Sequence, residues 1–110
     1  MNINLKQVEQ VSVVEIHGDL DGTTAPAAQA EIMPLVLPGC KLLLDMSDVG
    51  YMSSAGLRLL LATYRSIVAK AGRVVLVGLS EELQDTMSLT GFLDFFTYLP
   101  TFDAGVAALA

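Results

Sequence analysis

The sequence contains very little cysteine and histidine. Among 110 residues, Cys40 is the only cysteine and His17 the only histidine. One cysteine cannot close an intramolecular disulfide, and these two residues cannot supply the four ligands of a structural zinc site. We therefore exclude disulfide redox chemistry and structural zinc, and we expect the protein to hold no metal and no other cofactor.

Basic residues are also scarce. Six of them stand against twelve acidic residues, which gives a formal net charge of -6 and a sequence pI near 4.4. A nucleic-acid-binding protein needs the opposite balance, because it must neutralise phosphates. We therefore expect no nucleic-acid partner, and a partner that responds to charge should be basic.

Long hydrophobic runs are missing, although 53% of the residues are hydrophobic and only 16% are charged. The apolar run at 42–44 is bounded by Lys41 and Asp45, and no run approaches the ~18–20 residues of a spanning helix. The N-terminal segment lacks the apolar core of a signal peptide. The composition excludes disorder of the whole chain. We expect one folded domain over residues 1–110, located in the cytoplasm and not inserted in a membrane.

The hydrophobic pattern predicts five strands. Apolar alternation around residues 3–5 and 11–16 indicates two strands joined through the polar residues 7–10, as in a hairpin. The continuous apolar run at 42–44 is typical of a strand buried on both faces of a parallel sheet, and the segment 73–78 indicates a second buried strand. Residues 95–99 indicate a last strand. The polar segment 45–50 is interpreted as a loop.

Helix signals separate these strands. The longest predicted helix carries an apolar stripe from Leu57 to Ala71 at helical spacing and ends at Gly72. Ser80 is suited to cap a third helix that ends at Gly91. A first helix is predicted over residues 26–33, closed by a proline, and a short amphipathic helix over 103–110.

Alternating strands and helices predict an α/β fold with a mixed, mostly parallel sheet of about five strands and about four helices. Functional surfaces of such sheets tend to lie at the carboxyl ends of the strands. Two loops reach that edge, 18–24 and 45–54. We therefore expect Asp19 and Asp21 to lie on the same surface as Ser54, although aspartates are also common in ordinary turns.

Ser53 and Ser54 stand where the second of these loops meets the longest helix. A serine at this place can cap the helix by accepting an amide hydrogen, which is worth about 1 kcal/mol. A hydroxyl at a helix N-terminus is also well placed to carry a phosphate, since amides and the helix dipole stabilise it. The local spacing leaves both interpretations open, and Thr23 and Thr24 could likewise be caps.

The run from Asp45 to Leu57 closely resembles the signature of the STAS domain family, the anti-sigma factor antagonists. In that family a buried strand ending Leu-Asp-Leu-Ser is followed by an aromatic-apolar pair and Asp-Ser-Ser-Gly-Leu. Further resemblances follow in the family's order along nearly the whole chain, at residues 18–25, 77–80, 89–92 and 95–96.

The resemblance implies a single STAS domain that acts without catalysis. Unphosphorylated family members bind an anti-sigma factor that is also a serine kinase, and so release a sigma factor. Phosphorylation breaks the complex and a serine phosphatase resets it. Alignment on Gly56 and Leu57 places the phosphoacceptor at Ser54, with Ser53 as a weaker candidate. The chain departs from the family motif in carrying Ser53 for the aspartate and Ala55 for the second serine, which bears on kinase preference.

The resemblance and the charge argument together predict a partner-binding surface. Its residues come from the two loops and from the start of the longest helix: Asp19, Asp21, Thr23, Thr24, Met52, Ser53, Ser54, Gly56 and Arg58. A phosphate on Ser54, beside two aspartates, would repel an acidic group of the partner and so switch the interface.

Two other functions are alternatives to the antagonist. STAS-like domains also serve as scaffold subunits of larger signalling or transport complexes, and the sequence does not exclude this. A serine hydrolase with Ser54 as nucleophile and His17 as base is disfavoured, because the Gly-x-Ser-x-Gly motif lacks its first glycine. Cys40 is interpreted as a small core residue. We therefore expect the protein not to be an enzyme.

Overall fold

Five strands form one sheet whose order in space follows their order in the chain. The computed structural model describes residues 1–110. The strands are β1 (Asn2–Val8), β2 (Val11–His17), β3 (Lys41–Asp48), β4 (Arg73–Val77) and β5 (Thr97–Leu99). β1 and β2 form an antiparallel hairpin, and β2 to β5 pair in parallel. The predicted hairpin and the mixed, mostly parallel sheet are confirmed.

The helices are distributed unequally over the two faces of the sheet. They are α1 (Ala25–Ile32), α2 (Ser54–Ala69), α3 (Glu81–Leu89) and α4 (Phe102–Leu109), with short 3-10 helices at Met33–Leu35 and Phe92–Phe95. The first three contribute to one large hydrophobic core, and α4 packs on the opposite face. The predicted α/β class with four helices is confirmed. None of these helices has both the length and the apolar character that crossing a membrane requires.

β3 is the central strand and is buried on both faces. Leu42 and Leu44 belong to the large core, whereas Leu43 packs with Val75 and Leu109 beneath α4. All three leucines are fully buried, at 0% exposure. This is the arrangement predicted for the apolar run at 42–44, because strands of a parallel sheet are covered by helices on both faces.

The prediction that residues 45–50 form a loop is wrong for their first four residues, since β3 continues to Asp48. The backbone of Asp45 pairs with Val77, and that of Asp48 pairs with His17. Met46 is fully buried between the polar positions. The polar side chains Asp45, Ser47 and Asp48 suggested a loop, but the strand is held by backbone pairing, which does not depend on hydrophobicity.

The first two helices differ slightly from their predicted ranges. α1 begins at Ala25, and Pro34 falls in the 3-10 turn that follows it. α2 begins at Ser54 and ends at Ala69, although its apolar stripe suggested an end at Gly72. Ala71 adopts a positive φ of 56°, which ends helical geometry before the glycine is reached.

The predicted strand at 95–99 is shorter than expected, because β5 begins only at Thr97. Phe95 closes a 3-10 helix and remains exposed, whereas Phe96 turns into the core. The ring of Phe96 lies 5.4 Å from that of Tyr64 on α2, in an edge-on contact. Packing of these aromatic rings therefore replaces strand pairing at residues 95 and 96.

The last two helices agree with prediction. The Ser80 hydroxyl accepts a hydrogen bond of 3.2 Å from the amide of Leu83 and so caps α3. Gly91 follows α3 with a positive φ of 78°, as expected of a helix stop. α4 covers nearly the predicted segment, one residue earlier at its start.

Candidate functional site

The two loops predicted to meet at the carboxyl edge of the sheet lie side by side. Leu20 and Met52 form an isolated parallel bridge beyond β2 and β3. The Leu20 amide donates to the Tyr51 carbonyl at 3.0 Å, and the Ser53 amide donates to the Leu20 carbonyl at 2.9 Å. These bonds extend the pairing of β2 with β3 into the loops, so the segment carrying Asp19 and the start of α2 share one surface.

Gly56 holds the first turn of α2 against this junction. A Cβ atom at position 56 would lie 2.6 Å from the Leu20 carbonyl oxygen and 2.6 Å from Met52 Cγ. Both distances are far below a normal contact, so only glycine permits this approach. Met52 itself is 4% exposed and belongs to the large core.

Met52 and Gly56, which belong to the predicted partner-binding surface, are both buried. Neither presents a side chain at the surface of the protein. Their apolar character serves packing beneath the loop. Their part in the site is to position Ser53, which directly follows Met52, and Ser54, which lies two residues before Gly56.

The two adjacent serines differ in accessibility. Ser54 is the first residue of α2 and is exposed. Ser53 occupies the N-cap position with extended backbone angles, φ -82° and ψ 178°, yet its side chain caps nothing. The Ser53 hydroxyl oxygen is buried and has no hydrogen-bond partner. The interpretation of a serine as the cap of this helix is therefore wrong.

The start of α2 consequently retains free amide donors. The first helical hydrogen bond runs from the Leu57 amide to the Ser53 carbonyl at 3.0 Å. The amides of Ser54, Ala55 and Gly56 have no backbone or side-chain acceptor in the protein. Such a helix start favours negative charge, because the amides and the helix dipole both present positive ends.

Asp21 organises the neighbouring loop. Its carboxylate accepts hydrogen bonds from the amides of Thr23 at 2.9 Å and Thr24 at 3.1 Å. The Thr24 hydroxyl in turn accepts from the Asp21 amide and donates to the Asp19 carbonyl, both at 2.9 Å. The amide hydrogen bonds, that of Thr24 first and then that of Thr23, hold the pKa of the Asp21 carboxyl below its ordinary value of 3.8. Asp21 is thus ionised near neutral pH.

The interpretation that these residues form an ordinary turn is confirmed for Asp21 and Thr24. Both support the loop through their own hydrogen bonds. Thr24 stands at the N-cap position of α1, but its hydroxyl makes no bond to the helix amides. Thr23 and Asp19 are exposed. The side chains of Asp21 and Thr24 are half-buried, so those of Thr23 and Asp19 are the most accessible of the four.

Tyr51 is an exposed residue that is absent from the predicted partner-binding surface. It lies between β3 and α2, and 56% of it is exposed, although it is a large aromatic residue. Its carbonyl binds the Leu20 amide, which ties it to the junction of the two loops. The aromatic-apolar pair of the motif, Tyr51 and Met52, indicates that one of the two side chains is buried. The sequence does not show which of them points outward.

Arg58 stands one turn beyond Ser54 on α2 and is exposed. It borders a groove of about 290 Å³ between α1 and α2. The other lining residues are Ala25, Pro26, Gln29, Ala55, Leu59 and Ala62. The side chain of Arg58 forms no ion pair, since the two ion pairs of the structure are Lys6–Glu15 and His17–Asp48.

His17 is engaged away from Ser54. Its Nδ1 lies 2.8 Å from Asp48 Oδ2, and its Nε2 lies 3.4 Å from the side-chain amide of Asn4. These contacts link the ends of β1, β2 and β3. The hydrolase alternative required His17 to take a proton from Ser54, but its two ring nitrogens contact Asp48 and Asn4, and neither contacts Ser54. Cys40 is partly buried and packs against the large core, as a small core residue does.

Comparison with known proteins places this geometry in a family. The model of the STAS domain matches residues 2–107. The chain is 31% identical over 106 residues to the anti-sigma-B factor antagonist of Bacillus subtilis (strain 168), covering 96% of this chain and 97% of that protein. The chain therefore belongs to the STAS domain family. The prediction that it is not an enzyme is confirmed at this level, since such antagonists are regulators.

Solved structures agree with this assignment. The crystal structure of an anti-sigma factor antagonist from Mycobacterium paratuberculosis is similar at a TM-score of 0.86 and 31% identity, covering 98% of this chain and 92% of that one. The Bacillus cell fate determinant SpoIIAA in its phosphorylated form shares the fold at a TM-score of 0.75 and 20% identity, covering 99% of this chain and 100% of that one.

Proposed function

We propose that this protein is an anti-sigma factor antagonist whose binding is switched by phosphorylation of Ser54. In its unphosphorylated form it binds an anti-sigma factor with serine kinase activity, and a sigma factor is released. Phosphorylation of Ser54 by that kinase ends the complex, and a serine phosphatase restores the binding form. The names of the relatives support the antagonist function, and the structure of the site supports the choice of serine.

The observation that carries the proposal is the contrast between Ser53 and Ser54. A kinase must bring the hydroxyl oxygen into line with the phosphate of its nucleotide. Ser54 is exposed at the first position of α2, whereas the Ser53 oxygen is buried beneath the junction of the two loops. Modification of Ser53 would require the start of α2 to open, but modification of Ser54 would not.

The charge of the surrounding surface supports a switch. Asp21 is ionised at neutral pH, its amide hydrogen bonds lower its pKa further, and Asp19 is exposed in the same loop. A phosphate on Ser54 adds about -1.5 to -2 charges beside them at neutral pH. Repulsion of an acidic partner group costs several kcal/mol in such an interface, and about 2.7 kcal/mol already changes affinity a hundredfold.

The proposed contact surface consists of exposed residues together with the half-buried Asp21 and Thr24. It keeps Asp19, Asp21, Thr23, Thr24, Ser54 and Arg58 from the sequence-based prediction, adds Tyr51, and leaves Met52 and Gly56 in supporting positions. Ser53 contributes at most the edge of its side chain. Tyr51 is the aromatic anchor of this surface, since exposed tyrosines often carry much of the binding energy of an interface.

The test is phosphorylation by purified kinases. The chain and its Ser54→Ala and Ser53→Ala variants are incubated with ATP and each kinase-type anti-sigma factor of the same organism, and phosphate is located by mass spectrometry. We expect one kinase to modify the unaltered chain and Ser53→Ala to completion and to leave Ser54→Ala unmodified. Full modification of Ser54→Ala, or phosphate found elsewhere in the unaltered chain, would contradict the assignment.

A further inference from the structure

We propose that Arg58 is the intramolecular partner of a phosphate on Ser54. The inference rests on the proposed function, because it concerns the phosphorylated form. It assigns to Arg58 a positioning role within this chain, in addition to its place on the contact surface: its guanidinium pairs with the phosphate across one turn of α2.

The spacing of the two residues brings their side chains together. Ser54 and Arg58 both lie within α2 and are four residues apart. Residues i and i+4 of a helix have Cβ atoms about 5–6 Å apart, and an acidic group preceding a basic one in this pair is the favourable order. Long side chains on helices also lean toward the N-terminus, so Arg58 is directed toward the turn that carries Ser54.

The guanidinium is available for this contact. Arg58 is exposed and is bound to no carboxylate in the structure. The groove that it borders contains no acidic residue, and its only other polar side chain is Gln29. In the adjacent loop, Oδ1 of Asp21 accepts the amides of Thr23 and Thr24, and the Asp21 carboxylate forms no ion pair with Arg58. In the unphosphorylated chain Arg58 is therefore bound to no acid of the protein.

The start of α2 supports the same arrangement. The amides of Ser54, Ala55 and Gly56 have no acceptor, so a phosphate here meets the positive end of the helix as well as Arg58. An arginine binds phosphate through two parallel N–H donors, which fixes both groups in direction as well as distance. The phosphate is then ordered over the first turn of α2.

This pairing means that phosphorylation of Ser54 has two effects on the proposed contact surface. Arg58 is the one cation among the residues proposed to contact the partner, and in the unphosphorylated chain it is free to bind a partner carboxylate. A phosphate on Ser54 adds negative charge and at the same time occupies that cation. Phosphorylation thus removes an attraction and introduces a repulsion.

The experiment places phosphoserine at position 54 during translation of the full chain, so that neither the kinase nor the partner is needed. The second pKa of the phosphate is measured by ³¹P NMR titration in the otherwise unaltered chain and in the Arg58→Gln, Arg58→Lys and Arg65→Gln variants. Arg65 is the matched control, since it is an exposed arginine of the same helix about 16 Å from Ser54 along the axis.

A nearby cation favours the doubly charged phosphate and lowers this pKa. We expect the value in the chain with Arg58 to lie about 0.3 below that of Arg58→Gln, as a helix pair of ordinary strength implies. Arg65→Gln should match the unaltered chain, and Arg58→Lys should retain part of the effect. The difference should shrink at 1 M salt, because exposed pairs are screened.

A second readout is the side-chain Nε–H signal of Arg58 in ¹⁵N spectra, which should shift when position 54 carries phosphate while that of Arg65 does not. Equal phosphate pKa values with and without Arg58, or an unmoved Arg58 signal, would overturn the inference. Neither result depends on partner binding. If the phosphorylated chain instead bound its anti-sigma factor as tightly as the unmodified chain, the proposed function would fail while this pairing could still be observed.

Discussion

Ser53 and Ser80 stand at equivalent places in the chain, each as the extended residue before an α-helix. Only Ser80 caps its helix. The Ser53 amide is bound to the Leu20 carbonyl, and its hydroxyl is enclosed beneath the loop junction without a partner. A serine before a helix is thus a cap only where its surroundings leave the hydroxyl free to turn toward the helix amides.

Replacement of the two serines by alanine should affect stability differently. Ser80→Ala removes a cap, so we expect the free energy of unfolding to fall by about 1 kcal/mol. Ser53→Ala removes a buried hydroxyl that bonds to nothing, so we expect no loss, or a gain of up to about 1 kcal/mol. Urea denaturation of the two variants measures both. An equal loss in the two would show that Ser53 also caps its helix in solution.

At the scale of elements, the position of α2 is set by a contact between its first turn and the loop after β2. Gly56 allows this contact, and the bonds of Leu20 with Tyr51 and Ser53 hold the loop from the other side. The site is therefore built where a helix start meets the extension of two parallel strands. Ser54 is held at the surface because the backbone of the first turn of α2 packs against the backbone of the loop after β2.

Gly56→Ala tests this contact. The added Cβ would press on the Leu20 carbonyl and Met52, so we expect a loss of about 1–3 kcal/mol in stability through overpacking. Gly22→Ala is the matched control in the same site, because its Cβ would meet only Ala55 at an ordinary 3.9 Å. Thermal and urea unfolding should separate the two variants. A Gly56→Ala protein as stable as Gly22→Ala would show that α2 is not held in this way.

The elements themselves were largely predictable, because burial leaves a hydrophobic pattern. The run at 42–44 and the stripe of α2 were identified from that pattern. The end of β3 at Asp48 and the late start of β5 were not, since backbone pairing of polar residues and aromatic packing leave no such pattern. At the site, resemblance to a family indicated Ser54, but the buried hydroxyl of Ser53 and the outward ring of Tyr51 depend on tertiary packing.

At the scale of the whole molecule, the faces of the sheet form the hydrophobic cores, and the carboxyl edge of the sheet carries the proposed functional surface. α4 closes one face through Leu109 and the strands beneath it, while α1, α2 and α3 close the other. The carboxyl edge then presents the exposed loops, with Asp19, Asp21 and Ser54, in a molecule of net charge -6. A single phosphate at this edge changes the charge of the surface that is proposed to meet the partner, and the buried core is not involved.

The most direct test of the switch is isothermal titration calorimetry of the kinase-type anti-sigma factor identified by the phosphorylation assay. It is titrated with the unmodified chain and with the chain carrying phosphoserine at position 54. The matched control carries phosphoserine at position 88, an exposed serine in the last turn of α3. We expect the phosphate on Ser54 to weaken binding by about a hundredfold or more, and the one at position 88 to leave it nearly unchanged. Equal affinity of the unmodified and Ser54-phosphorylated chains would contradict the proposed switch.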